Sequence, residues 1–184
     1  MKLHEAITGR LRLFIEAQPM FFVATAPAGP EGHVNLSPKG MHGTFRVLDE
    51  HRVAYLDYHG SGAETAAHLA DNGRITVMFC AFTGPPNIVR LHGKGRMVAL
   101  TDPGWPEALA LFPDPPDVHG ARSVVFIDVD RVSDSCGYSV PLMAYEGDRD
   151  TLVRWSERKS PQDLATYRRT KNSESIDGLP AFNG

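Results

Sequence analysis

Arg90, His92, Lys94 and Arg96 occupy alternate positions. On a β-strand that spacing puts three fixed cations and an imidazole on one face, because side chains alternate along the strand. Neighbours in the row stand about 7 Å apart, twice the strand rise. Such a row either attracts an anion or forms the solvated face of a half-buried sheet. Upstream, His59-Gly60-Ser61-Gly62-Ala63-Glu64-Thr65 reads as a glycine loop opening a helix. Ser61-x-x-Glu64 has the spacing of a capping box. A helix start preceded by glycines also suits a phosphate, since free N–H groups and the positive dipole end converge there. Glu64 opposes a bare phosphate unless a cation stands between them.

The elements that must position these groups follow from the pattern around them. Residues 52–57 are β-prone, 74–82 form the most apolar run, and 88–100 carry the basic row after a turn at 83–87. The helix between the first two strands ends at Asn72-Gly73. Leu3, Ile7, Leu11, Phe14 and Ile15 recur at helical spacing, so 3–18 predicts an amphipathic helix, stopped by Pro19. Strands are expected at 20–26 and 33–37, with Pro38-Lys39-Gly40 breaking the second, and at 44–48, pairing with 52–57. Thr101-Asp102-Pro103 announces a helix over 104–112. Residues 122–130 predict a strong strand, and 132–141 a weaker, kinked one with a bulge at Gly137. Helices are expected at 150–159 and 161–170, and an extended tail at 171–184 that packs across a groove of its own chain or a partner's. Short strands, hairpin-length links and peripheral helices make a mainly β protein, an antiparallel barrel or sandwich rather than a parallel α/β sheet. One domain is expected over 1–184, with the barrel core at about 20–141 and the C-terminal helices and tail at 150–184.

Composition narrows the function. A net charge of −3 argues against a general nucleic-acid binder, so any anion site must be local. No apolar run is long enough to span a membrane, and the N-terminus lacks a signal-peptide core, so a cytoplasmic protein is expected. Cys80 and Cys136 are far apart with no C-x-x-C and are expected to be buried free thiols. The histidines are scattered without H-E-x-x-H, so no metal site is expected. Gly93-Lys94-Gly95 is followed by no helix, which removes a dinucleotide fingerprint, and Gly60-Ser61-Gly62 is not a hydrolase nucleophile elbow.

As an ordered set, several stretches resemble the pyridoxamine 5'-phosphate oxidase-like, FMN-binding split-barrel proteins. They are Val34-Asn35-Leu36-Ser37-Pro38-Lys39-Gly40, the stretch from Tyr55-Leu56-Asp57-Tyr58 through Thr65, the stretch from His68-Leu69 through Arg74-Ile75-Thr76-Val77-Met78-Phe79, and Arg90-Leu91-His92-Gly93-Lys94-Gly95. The pattern spans about residues 5–130. The later Cys136-Gly137-Tyr138-Ser139-Val140-Pro141 and Ser175-Ile176-Asp177-Gly178-Leu179-Pro180 are similar to a bacterial subgroup of unassigned substrate.

The resemblance implies a six-stranded antiparallel Greek-key split barrel, a homodimer, and FMN in a groove at the dimer interface. It implies that Asn35, Ser37 and Lys39 meet the flavin ring and ribityl chain. It also implies that Asp57, Tyr58, Ser61, Gly62 and Thr65 lie in the segment approaching the ribityl phosphate. Lys39 and Arg90 are the first choices for the phosphate cation. True pyridoxamine-phosphate oxidases carry Ser-Arg-Lys where this chain has Ser61-Gly62-Ala63, and their C-terminal Arg-x-His pattern is absent here. The expectation is therefore an FMN-dependent oxidoreductase of another small-molecule substrate, or a non-catalytic flavin, deazaflavin or heme carrier on the same barrel. No acid or base is assigned; His59, His92, Tyr58 and Cys136 are the groups to weigh.

Overall fold

One short link dictates the shape of the sheet. The structure, a computed structural model, describes residues 1–182. Its antiparallel sheet has eight strands, in the order β3-β2-β6-β7-β8-β5-β4 with β1 added on β8. β3 (Asn35–Lys39) and β4 (Phe45–Val47) stand at opposite ends of that order, yet only residues 40–44 join them. Five residues span at most about 17 Å. The sheet must therefore curl until its first and last strands approach, which makes a barrel split between β3 and β4.

The central strands explain the curl. β2 (Phe21–Thr25), β6 (Arg74–Cys80) and β7 (Ile88–Ala99) pair in register through Val23, Val77 and Leu91, all fully buried. β8 (Ala121–Ser135) pairs with β7 on one side and β5 (Arg52–Tyr58) on the other. Inside, Phe21, Phe45, Tyr55 and Phe79 pack with ring centroids 5.0–5.7 Å apart. α1 (Gly9–Glu16) adds Leu11 and Ile15 to the same core. A smaller core beneath α3 (Trp105–Leu109) joins Ala54, Leu56, Phe112 and Val124 on the opposite face of β5 and β8. α2 (Glu64–Asp71) links β5 to β6, while α4 (Thr151–Glu157) and α5 (Pro161–Lys171) follow the barrel. No helix among the described residues is long and apolar enough to cross a membrane.

Several boundaries differ from expectation, each for a local reason. The first helical turn is instead strand β1 (Lys2–His4), which pairs Leu3 with Ser133. Past Asp128, β8 has outrun β5, so its edge is free to take β1. Pro38 does not break β3, because β3 is a sheet edge where its missing N–H is not needed. The two expected late strands are one, β8, and Gly137 lies beyond it with φ +64. The register shifts sit instead at Asp57/Tyr58 and at His92/Gly93, where a Cβ on Gly93 would lie 2.0 Å from the Asp128 carbonyl oxygen. The sheet has eight strands rather than the six the resemblance implies; β4 lies within the strand expected at 44–48 and pairs with β5 as expected, whereas β1 was not anticipated. Cys136 is exposed rather than buried. The expected tail at 171–184 includes residues 183 and 184, which lie outside the described residues.

Gly93→Ala forces that carbonyl aside and should cost about 1–3 kcal/mol, as overpacking does. A melting temperature lowered by roughly 3–10 °C is expected. Gly29→Ala, whose Cβ meets nothing within 4 Å, should melt like the parent chain.

Candidate functional site

Asp57 occupies the end of β5 on the inner face and is buried. One oxygen, Oδ1, accepts from Lys39 Nζ at 2.5 Å, across the split from β3. The other, Oδ2, accepts from Arg122 Nε at 2.7 Å. Burial by itself would raise the carboxyl pKa, but the Arg122 and Lys39 charges and hydrogen bonds outweigh it. The carboxyl is held well below the usual carboxylate range. Arg122 then spends its two Nη atoms on the glycine loop, donating to the Gly60 carbonyl at 3.1 Å and the Gly62 carbonyl at 2.9 Å. One carboxylate thus ties β3, β5, β8 and the loop before α2 together.

The C-terminal segment closes over this centre. Asn172 Nδ2 donates to the carbonyls of Gly60 (2.8 Å) and Ser61 (3.3 Å). Farther along, Ile176 N donates to Glu64 Oε1 at 3.3 Å, and Asp177 accepts from His33 N at 2.8 Å. Arg168 of α5 lies 2.9 Å from His59 Nε2 through its Nη1, while His59 Nδ1 is 2.8 Å from the Gly120 carbonyl. An arginine only donates and a carbonyl only accepts, so the His59 proton sits on Nδ1. Burial lowers the His59 pKa to about 4, and the Arg168 and Arg122 charges act in the same direction.

A second chain of polar groups runs along the β3 edge. Ser37 Oγ donates to Asn35 Oδ1 at 2.7 Å, and Asn35 Nδ2 donates to Thr25 Oγ1 (3.0 Å) and Thr65 Oγ1 (3.1 Å). Thr25 Oγ1 lies 2.9 Å from His68 Nδ1. Burial lowers the His68 pKa. Its Nε2 is buried and has no partner among the described residues.

These two networks gather Asn35, Ser37, Lys39, Asp57 and Thr65, and they engage Ser61 and Gly62 through backbone carbonyls. Two expected members stand elsewhere. Tyr58 follows Asp57 and so points to the other face of β5, into the small core under α3. Arg90 pairs across with Met78 on the outer face and donates to Ser135 Oγ at 3.2 Å. The rest of the basic row is also locally engaged. His92 lies 3.0 Å from Thr76 Oγ1, Lys94 donates to the Asn72 carbonyl, and Arg96 covers the Phe126 ring. Lys94 of this row therefore meets the C-terminal end of α2, not its start. The capping box does not form either: α2 is preceded by Ala63, with no side-chain cap. Arg122 and Asn172 hold the loop carbonyls inward, and Glu64 is taken by Ile176.

Arg122, Arg168 and Asn172 were not anticipated as site residues. Arg122 left a trace as a charge opening an otherwise apolar strand. Arg168 left one by falling four residues after Leu164, on the buried side of α5. Among the described residues, no three His, Cys, Asp or Glu side chains cluster as metal ligands.

A family model described as pyridoxamine 5'-phosphate oxidase matches residues 7–136. The chain belongs to this family. An Aspergillus flavus protein described as pyridoxamine 5'-phosphate oxidase family protein ustO is 36% identical to it, covering 98% of this chain and 77% of its own length. HupZ of group A Streptococcus is similar in fold, with a TM-score of 0.55 at 20% identity, over 75% of this chain and 99% of that one. An FMN-binding, pyridoxamine 5'-phosphate oxidase-related protein of Nostoc punctiforme aligns with a TM-score of 0.46 at 14% identity, over 63% of this chain and 73% of that one. The split barrel expected for this family is the fold observed. In this family member Lys39 and the loop before α2 share the network centred on Asp57, while Asn35 and Ser37 of β3 belong to the second.

Asp57→Asn leaves half-buried Lys39 and buried Arg122 without their counter-charge and should destabilise the fold by about 3–5 kcal/mol; chemical denaturation of the variant measures it. His59 supplies a pH signature. It titrates near 6.5 when unfolded and about 4 when folded, so the unfolded chain takes up its proton first. Stability from this group is complete above about pH 6.5 and is lost as pH falls towards 4, by about 2–3 kcal/mol. His59→Gln should flatten the melting-temperature profile across that window.

Proposed function

We propose that this chain is a homodimeric, FMN-dependent oxidoreductase acting on a small organic substrate. The observation that carries the reading is the half-buried row Ser37, Asn35 and Thr65, placed along a free sheet edge with Lys39 beside it. The residues fit a flavin. Hydroxyl and amide groups of Ser37 and Asn35 suit the polar edge of the ring, where hydrogen bonds tune its electronics. Thr65 and Ser61 suit the ribityl hydroxyls. Above Gly60 a Cβ would meet nothing within 4 Å, so a ligand can approach the loop backbone closely. When bound, the flavin supplies the redox chemistry; the chain supplies binding, orientation and electrostatics.

The phosphate end differs from that of the enzymes the sequence resembles. Gly62 and Ala63 offer no side-chain cation. Lys39 and Arg122 share one carboxylate, which leaves a single net positive charge for a phosphate of nearly two negative charges. The N–H groups of the first turn of α2 add to it. Arg90 faces outward, so it can contribute only from a second protomer. The outer face suits such a protomer: Val34 is 73% and Leu36 65% exposed beside the half-buried Phe22 and Met78. The weakened phosphate grip also favours a second reading, a non-catalytic carrier of a flavin, deazaflavin or heme. The carrier binds its cofactor yet does not reduce it with NADH or NADPH. The exposed thiol of Cys136 suits a reducing, cytoplasmic setting.

Quenching of FMN fluorescence measures the proposed site. Asn35→Leu removes the centre of the polar row and should weaken FMN binding at least tenfold. Equal affinity for parent and variant would overturn the assignment. Light scattering should return twice the 20.2 kDa chain mass.

A further inference from the structure

Arg168 is the charge that the networks above leave without a counter-ion. It is 9% exposed, donates to neutral His59, and forms no ion pair among the described residues. Arg122, 5% exposed, lies close enough to repel it. Among the described residues, half-buried Lys39 and buried Arg122 meet the Asp57 carboxylate, and Arg168 adds a third cation that pairs with none. Burying a guanidinium is unfavourable unless an anion or a full set of acceptors meets it.

Both arginines line a cavity of about 190 Å³ between the turn after β7, the start of β8 and the C-terminal segment. Met97, Ala99, Ala181 and Phe182 line it as well, beside the polar Thr101 and Asp102. The Phe182 ring lies 4.7 Å from the Arg122 guanidinium carbon. Among the described residues Asp102 is the one carboxylate in the wall; it is exposed and already accepts from Ala99 N at 2.7 Å. The cavity is a little larger than the roughly 150 Å³ known to admit benzene.

We propose that this cavity is a binding pocket for the carboxylate of a small, partly apolar molecule, gripped by Arg168 and Arg122 and covered by Phe182. The planar fork of a guanidinium matches a carboxylate with two parallel hydrogen bonds. Met97, Ala99 and Ala181 offer apolar surface to a flat stem, and the volume is too small for a whole nucleotide or flavin. The pocket does not depend on the flavin reading, since Arg168 and Arg122 are placed by the chain alone.

Isothermal titration of sodium benzoate into the full-length chain, without added flavin, tests the pocket. Sodium chloride and inorganic phosphate at matched ionic strength serve as comparators. One benzoate per chain should bind, with at least tenfold loss in Arg168→Gln. Ala181→Leu, which narrows the cavity and keeps both arginines, should lose it as well. Circular dichroism checks that each variant is folded; if Arg168→Gln is not, Ala181→Leu decides. No benzoate binding to the parent chain, or binding that the folded variants retain, overturns the proposal. Inorganic phosphate binding more tightly than benzoate overturns the carboxylate assignment.

Discussion

The Asp57 carboxylate holds together edges that the sheet's own hydrogen bonds leave apart. β3 and β5 are not neighbours in the ladder, so no backbone pairing joins them. Lys39 crosses that gap to Asp57, and Arg122 brings the start of β8 to the same group. Asp57 and Arg122 are buried and Lys39 half-buried, at a desolvation cost, and both cations are compensated by the one carboxylate. Hydrophobic packing closes the rest of the barrel. At the split, closure depends on this ion triad.

Site geometry follows from that closure. With Arg122 fixed by Asp57, its outer nitrogens hold Gly60 and Gly62, and the loop presents its backbone instead of basic side chains. The C-terminal segment completes the arrangement through Asn172, which shares the Gly60 carbonyl with Arg122. Segments far apart in the sequence therefore act as one body: the β3 edge with its polar row, the glycine loop, and the tail that roofs them.

Much of this fold was legible in the chain. Alternating apolar residues marked β2, β5, β6 and β7, and Gly73, which adopts φ +72, ended α2 where expected. Misplaced boundaries came from tertiary context: a free edge of β8 recruited residues 2–4, and a sheet edge tolerated Pro38. Asn35, Ser37, Lys39 and Asp57 were readable because a family resemblance marked them. Arg90 and Tyr58 were readable as residues but not as orientations, since one step along a strand reverses the face. Arg122, Arg168 and Asn172 carry no local motif. Their roles come from contacts across roughly sixty to over a hundred residues of chain, which periodicity does not report.

The measurement that bears most directly on the flavin reading is the visible spectrum of freshly purified protein, followed by mass analysis of whatever heat releases from it. The account predicts a flavin spectrum and released FMN. A colourless protein that also fails to take up added FMN would contradict it, leaving the barrel and its ion triad intact around a site built for something else.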